Sequence, residues 1–254
     1  MPRYAIISDI HANLHALCAV MEHALQQQGC DCIACLGDIV GYNAYPNECA
    51  AYIRSLQCPV VRGNHDEEVC STDWGRMNPI ARQAMEWTRS QLEPDHLVWL
   101  SRLPYQKLVD SRFTIVHAGL DQPKAWNYII NADDAGASLQ RQFSPICFHG
   151  HTHVPRVYRR SSGLRAEEDS EARATLAAKG CVCIRPEPAC KYFINVGAVG
   201  QPRDGDPRAS YAVYDSDEGC ITIFRIDYDI ASAQQAILAA GLPAFLAERL
   251  AQGA

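Results

Sequence analysis

No run of apolar residues in this 254-residue chain approaches the roughly 18 that a membrane-spanning helix needs. The first apolar stretch, Ala5-Ile6-Ile7, is short and runs into Ser8 and Asp9, unlike the core of a secretory leader. An excess of positive charge is missing too. The 23 Lys and Arg against 29 Asp and Glu leave a net charge of −6, which argues against extended binding to a nucleic acid backbone or an anionic membrane. Linkers and internal repeats are absent, so a single domain over residues 1–254 is expected, with 48% hydrophobic residues available for its core.

Cysteine is present without the patterns that would give it a task. The 12 cysteines fall below the density of a disulfide scaffold, and a chain this long needs none. Neither Cys30, Cys32 and Cys35 nor Cys181, Cys183 and Cys190 makes two paired zinc knuckles. Reduced thiols, packed as small hydrophobes in a cytoplasmic protein, are the expectation.

What the chain does have is a set of five short polar islands, each placed where a strand-like run stops. They are Asp9-Ile10-His11, Gly37-Asp38-Ile39-Val40-Gly41-Tyr42, Gly63-Asn64-His65-Asp66, His117-Ala118-Gly119 and Gly150-His151-Thr152-His153. Strand-like runs at 4–8, 32–36 and 59–61 alternate with helical periods at 14–28 and 46–56. Helices at 79–92, 95–100 and 133–143, and strands at 105–109, 113–116, 145–148 and 154–158, continue the series. Strands at 191–195, 211–214 and 220–226 and helices at 231–240 and 243–251 close it. Residues 161–190 begin with a charged, Ala-rich stretch lacking a clear strand period and read as a surface insertion. In open α/β sheets ligands gather at the carboxyl ends of strands, where all five islands fall. Their carboxylates, imidazoles and one amide form a donor set suited to two divalent cations set against phosphate oxygens.

These islands, in this order, resemble the five blocks of the calcineurin-like metallophosphoesterase superfamily, and the match covers most of the chain. The stretch from Asn195 to Asp206 is similar to a tail in the bacterial branch related to diadenosine tetraphosphatases. The resemblance implies an α/β fold of two packed mixed β-sheets flanked by helices, an αββα sandwich. It implies that Asp9, His11 and His153 hold one metal, that Asn64, His117 and His151 hold the other, and that Asp38 bridges both. The ions admitted by such donors are Mn, Fe, Zn, Ni or Co. They would share a water with a lowered pKa that attacks phosphorus in line.

His65, left over from the ligand set, is the candidate to protonate the leaving oxygen or to stabilise phosphoryl charge. Asp66 either orients His65 or is a solvated turn residue. Arg203 either grips a distal phosphate or pairs with Asp204 or Asp206. Trp126 and Tyr128 either stack on a base or belong to the core. Tyr42, and Asn43 beside it, would border the pocket. The substrate class implied is a small phosphoester or phosphoanhydride, a nucleotide or dinucleoside polyphosphate first. A broad phosphodiesterase, then a protein phosphatase, then a catalytically silent metal-binding protein are the alternatives. Gly41-Tyr42 stands where protein phosphatases and diadenosine tetraphosphatases of this superfamily carry Arg-Gly, so a phosphate-gripping arginine is missing there.

Overall fold

The opening strand, β1 (Arg3–Ile7), keeps no face for water. Tyr4 and Ile6 leave one side, Ala5 and Ile7 the other, and all four are buried. A strand buried on both faces needs a packed layer on each side. Tyr4 and Ile6 enter a core with Phe113, Phe148 and Ile194, while Ala5 and Ile7 meet Leu17, Val20 and Met21 of the next helix. That helix, α1 (Leu14–Glu22), ends in a π-helical turn at His23–Gln27.

In the computed structural model, which describes residues 2–71 and 78–254, ten further strands follow. They are β2 (Cys32–Cys35), β3 (Gln106–Val109), β4 (Phe113–Val116), β5 (Ile146–His149), β6 (Arg156–Ser161) and β7 (Glu167–Glu168). Then come β8 (Cys181–Ile184), β9 (Cys190–Asn195), β10 (Ala209–Asp215) and β11 (Cys220–Ile226). One sheet has the order β2-β1-β10-β11-β8 and the other β3-β4-β5-β9-β6-β7. The 59–61 run makes only a parallel bridge, Cys35 to Val60.

Between the sheets, the rings of Tyr4, Phe148 and Tyr214 meet Phe113 edge-on at 5.1, 5.4 and 5.6 Å. Phe113→Leu removes those contacts and leaves a gap, and should lower unfolding free energy by roughly 1–2 kcal/mol. A urea midpoint shift at constant m-value measures it.

Helices cover the outer faces. The α2 (Pro46–Ser55), α4 (Pro79–Gln91) and α5 (Pro94–Leu100) helices each begin on proline, whose missing N–H costs nothing at a first helical position. A short α3 (Asn64–Glu68) lies between α2 and α4. On the second sheet, α6 (Ala132–Arg141) sends Ala135 and Leu139 against Cys147, Tyr158 and Phe193.

The 161–190 stretch, expected as a surface insertion, is woven into both sheets. It pairs β7 with β6, forms α7 (Ser170–Lys179) and adds β8 beside β11. Leu176, Val182 and Ile184 are buried in the inter-sheet core, and the alternation is masked because Cys181 and Cys183 occupy the exposed positions. Cys190 lies on β9, in the other sheet from Cys181 and Cys183. The chain closes with α8 (Ile230–Ala239) and α9 (Ala244–Gln252), packed with Tyr42 through Ile237, Leu246 and Leu250. Among the described residues, no helix is long and apolar enough to cross a membrane.

Candidate metal centre

Strand β1 runs parallel to β2, and β4 parallel to β5, so the chain leaves each pair at a common rim. The two rims meet. Asp9, His11, Asp38 and His153 offer ligand atoms within 4.8 Å of one another, as do Asp38, His117 and His151, and all six residues are buried. Asp38 belongs to both groups. Main-chain bonds tie the loops together: Asp9 N–H donates to Gly37 C=O at 3.0 Å, His11 N–H to Asp38 C=O at 2.8 Å and Gly150 N–H to His117 C=O at 2.9 Å.

Such crowding needs unusual backbone. Asp9, His11, Asp38, His151 and His153 all take left-handed φ, between 49° and 68°. Asp and His enter that region more readily than most residues. The glycines preceding the islands make room by lacking a side chain. A Cβ on Gly63 would lie 2.1 Å from Asp38 Oδ1, and one on Gly150 would lie 2.3 Å from Asp9 Oδ2.

The hydrogen bonds fix which nitrogen of each ring faces inward. A carbonyl oxygen can only accept, so Nδ1 of His11, His117 and His153 must donate to Val40, Leu36 and Gln201 at 3.2, 2.8 and 2.5 Å. His151 is reversed, its Nε2 donating to Trp126 C=O at 2.8 Å. Neutral rings held this way turn bare Nε2 lone pairs, or Nδ1 for His151, toward the carboxylates. The Nε2 atoms of His11 and His153 then face each other at 3.1 Å, an arrangement that calls for a cation or a proton between them. This is the outer-shell pattern that orients metal-binding histidines. Asn64 turns its amide N–H to Glu68, and its buried Oδ1 has no partner among the described residues. The donor set therefore fits divalent cations.

Electrostatics agree. Burial disfavours charge on His117, but the neighbouring Asp38 carboxylate and then Asp9 push its pKa up to about 9. Burial opposes ionised Asp9 as well, yet His153 and His117 beside it hold its pKa below the usual carboxylate range. Two buried carboxylates thus draw positive charge into the pocket. Asp38 Oδ1 accepts the His65 N–H at 2.8 Å, while Oδ2 faces His117 Nε2 at 3.3 Å and His11 Nε2 at 3.5 Å.

His65 packs its buried ring 4.8 Å from that of His11 and 4.5 Å from Tyr42. Its Nδ1 lies against Gly41, where a Cβ would come within 2.6 Å. Asp66 does neither of the things expected of it. It is fully buried, and His65 Nδ1 has no hydrogen-bond partner among the described residues. The Asp66 carboxylate instead accepts from Ile39 N–H at 2.9 Å and Gly63 N–H at 3.0 Å, tying the Asp38 loop to the Asn64 loop. The reason is helical geometry. Adjacent residues on α3 point about 100° apart, whereas a third-position carboxylate reaches back to the amide preceding the helix.

The family model for the calcineurin-like phosphoesterase superfamily domain matches residues 3–219. The chain belongs to that superfamily. An uncharacterized protein of Methanocaldococcus jannaschii is 37% identical over 257 residues, 98% of this chain and 97% of that one. The phosphoesterase superposes on the crystal structure of a metallophosphoesterase from Sphaerobacter thermophilus with TM-score 0.85 and 41% identity, over 99% of this chain and 100% of that one. A hypothetical protein from Pyrococcus horikoshii shares the fold at TM-score 0.78 and 18% identity, covering 100% and 99% of the two chains. Membership makes this chain a phosphoester hydrolase of a family that works with divalent metals, built on two mixed sheets with flanking helices.

Around the mouth of the phosphoesterase site, Tyr42 is nearly buried and Arg203 lies with its guanidinium carbon 5.9 Å from the Tyr42 ring centre. Arg203 is not taken up by its acidic neighbours, because Asp204 pairs with Arg225 and Asp206 with Arg208. Trp126 is half-buried and donates its indole N–H to Glu67 at 3.0 Å. Its C=O is what supports His151, from a residue in left-handed φ. The open ring is Tyr128, 56% exposed and stacked on His151 at 4.4 Å. His149 stacks on Phe193 at 4.0 Å, a packing position. Asn195 went unassigned in the sequence, yet its amide donates to Gly150 C=O at 2.6 Å and Thr152 Oγ1 at 3.0 Å, bracing the loop of His151 and His153.

Proposed function

We propose that this phosphoesterase hydrolyses a small phosphoester or phosphoanhydride in the cytoplasm with two divalent cations, its substrate a nucleotide or dinucleoside polyphosphate. The observation that carries the two-cation reading is the pair of donor groups sharing Asp38, each with histidines whose outer nitrogens are already committed to carbonyls. Asp9, His11 and His153 would hold one ion, and Asn64, His117 and His151 the other. When bound, such ions neutralise phosphoryl oxygens and lower the pKa of a water beside them. Asp38, with Oδ1 fixed by the His65 amide, would keep Oδ2 aimed between the two groups. His65 would offer a ring N–H to the phosphoryl or leaving oxygen, held in place by Tyr42 and by the absence of a Cβ at Gly41.

The nucleotide part of the reading is supported by the open face of Tyr128 over His151 and by the surroundings of Trp126. The Trp126 ring lies 5.8 Å from that of His117 and 5.9 Å from that of Tyr105. Tyr105 lines a cleft of about 840 Å³ with Pro104, Leu120, Pro123 and Lys124, which has room for a nucleoside. A net charge of −6 favours a small phosphorylated partner over a polyanion.

The test is steady-state turnover by manganese-loaded protein of p-nitrophenyl phosphate, bis(p-nitrophenyl) phosphate and diadenosine tetraphosphate. Diadenosine tetraphosphate should be cleaved fastest, and His65→Ala should lower kcat roughly 100-fold with a smaller change in KM. Turnover of the diester alone would replace the nucleotide reading with a broad phosphodiesterase.

A further inference from the structure

One of the four inward-facing histidines is held differently from the others. His11, His117 and His153 lean on carbonyls through Nδ1, but His151 does so through Nε2, and its carbonyl belongs to Trp126, which sits at φ 54°. A bulky residue in left-handed backbone is strained and persists only where its surroundings over-determine it. What holds Trp126 is a carboxylate outside the ligand set. Its indole N–H donates to Glu67 Oε2 at 3.0 Å, and its ring meets those of His117 at 5.8 Å and Tyr105 at 5.9 Å. The other Glu67 oxygen accepts the Tyr105 hydroxyl at 2.5 Å, and that hydroxyl in turn accepts from Arg62 Nη1 at 3.2 Å. Arg62 Nη1 is also 3.9 Å from Glu67 Oε1.

Glu67 stands three residues after Asn64 on α3, and its own N–H donates to Gly63 C=O at 3.1 Å. Residues so spaced share a helix face. The Glu67 side chain therefore joins the helix that carries Asn64 to the loop that carries Trp126. Through that one contact it reaches each member of the Asn64, His117 and His151 group: Asn64 through α3, His117 through the Trp126 ring, and His151 through the Trp126 carbonyl. A neutral imidazole carries one proton. With the Trp126 carbonyl in place that proton belongs on Nε2; with the carbonyl moved away it is free to sit on Nδ1, the nitrogen turned toward the carboxylates, and a protonated nitrogen cannot be a ligand.

We propose that Glu67 is a positioning residue for the hydrolase: by holding the Trp126 indole it keeps the Trp126 carbonyl on His151 Nε2, and so leaves Nδ1 bare for the cation of the Asn64, His117 and His151 group. The assignment rests on the two-cation reading above and names what prepares its second site. The role needs the hydrogen bonds of Glu67 and not its charge. Glutamine can still accept the indole N–H on Oε1 while its amide donates to the Tyr105 hydroxyl. Alanine can do neither, and the ion pair with Arg62 is lost in both.

The test reads the His151 tautomer in metal-free, full-length protein with isotope-labelled histidine, by proton–nitrogen correlation at about pH 8, where neutral imidazole dominates. His151→Gln assigns the signals, and calorimetry with manganese follows ion binding on the same samples. Wild type should show His151 protonated on Nε2 alone and two manganese-binding steps. Glu67→Ala should mix the two tautomers and weaken one step about tenfold, the low end for outer partners of metal ligands because Glu67 acts through Trp126. Glu67→Gln should keep the wild-type tautomer and stay within about threefold in affinity. Trp126→Phe, which lacks the indole N–H, should match Glu67→Ala, and the double variant should lose no more than either alone. Thermal melts confirm that each variant is folded. A tautomer or a manganese affinity unchanged in Glu67→Ala, or an equal loss in Glu67→Gln, overturns the assignment. A single manganese per wild-type chain removes the two-cation reading, and the His151 signals of the metal-free protein then decide the role of Glu67 by themselves.

Discussion

Asp38→Asn should lower kcat at least about a thousandfold, ~4 kcal/mol in the barrier, for whichever phosphoester proves best. The substitution keeps the shape of the side chain. Asparagine Oδ1 can still accept the His65 N–H that Asp38 Oδ1 accepts at 2.8 Å, so the start of α3 stays where it is. What disappears is the negative charge at Oδ2, the atom between His11 and His117. With it goes the only carboxylate common to both donor groups, so bound manganese should fall from two ions per chain to one or none. Without metal, the variant should melt below wild type, because the buried His117 loses the carboxylate that raises its pKa. Turnover, metal content by plasma emission and a thermal melt separate the possibilities. Activity within tenfold of wild type, with both ions bound, would refute the shared-carboxylate reading.

How much of this was legible in the sequence follows from which atoms do the work. Side-chain donors such as Asp9, His117 and His151 sit in islands at strand ends, and strand ends are visible as breaks in apolar alternation. The outer partners of the histidines are main-chain oxygens of Leu36, Val40, Trp126 and Gln201, which residue identity does not encode. Asp66 was misread because it follows His65 in the chain, although neighbours on a helix diverge and its true partners lie in another loop. Residues 161–190 hid their strands for a different reason. A two-residue β7 is too short to show a period, and on β8 the exposed positions carry cysteines in place of polar residues.

Removing the metals should cost this protein much of its stability, and the same geometry says why. Five ligand candidates occupy left-handed backbone, each at a cost on the order of 1 kcal/mol or more, and the His11 and His153 nitrogens oppose each other at 3.1 Å. The surrounding carbonyl bonds and glycine-lined loops hold these groups in place whether or not an ion is present, so strain and repulsion remain in the chelated form. An ion that binds this native arrangement and not the unfolded chain adds about 4 kcal/mol at a thousandfold excess over its Kd. For a chain of this size that corresponds to roughly 10 °C in Tm. Chelator-treated protein should therefore melt about 10 °C below protein refilled with manganese, judged by scanning calorimetry with dialysed samples. Asp38→Asn should erase most of that difference, while Phe113→Leu, deep between the sheets, should lower both melting temperatures together and leave their separation intact. A separation that survives Asp38→Asn would place the stabilising ion somewhere other than this centre.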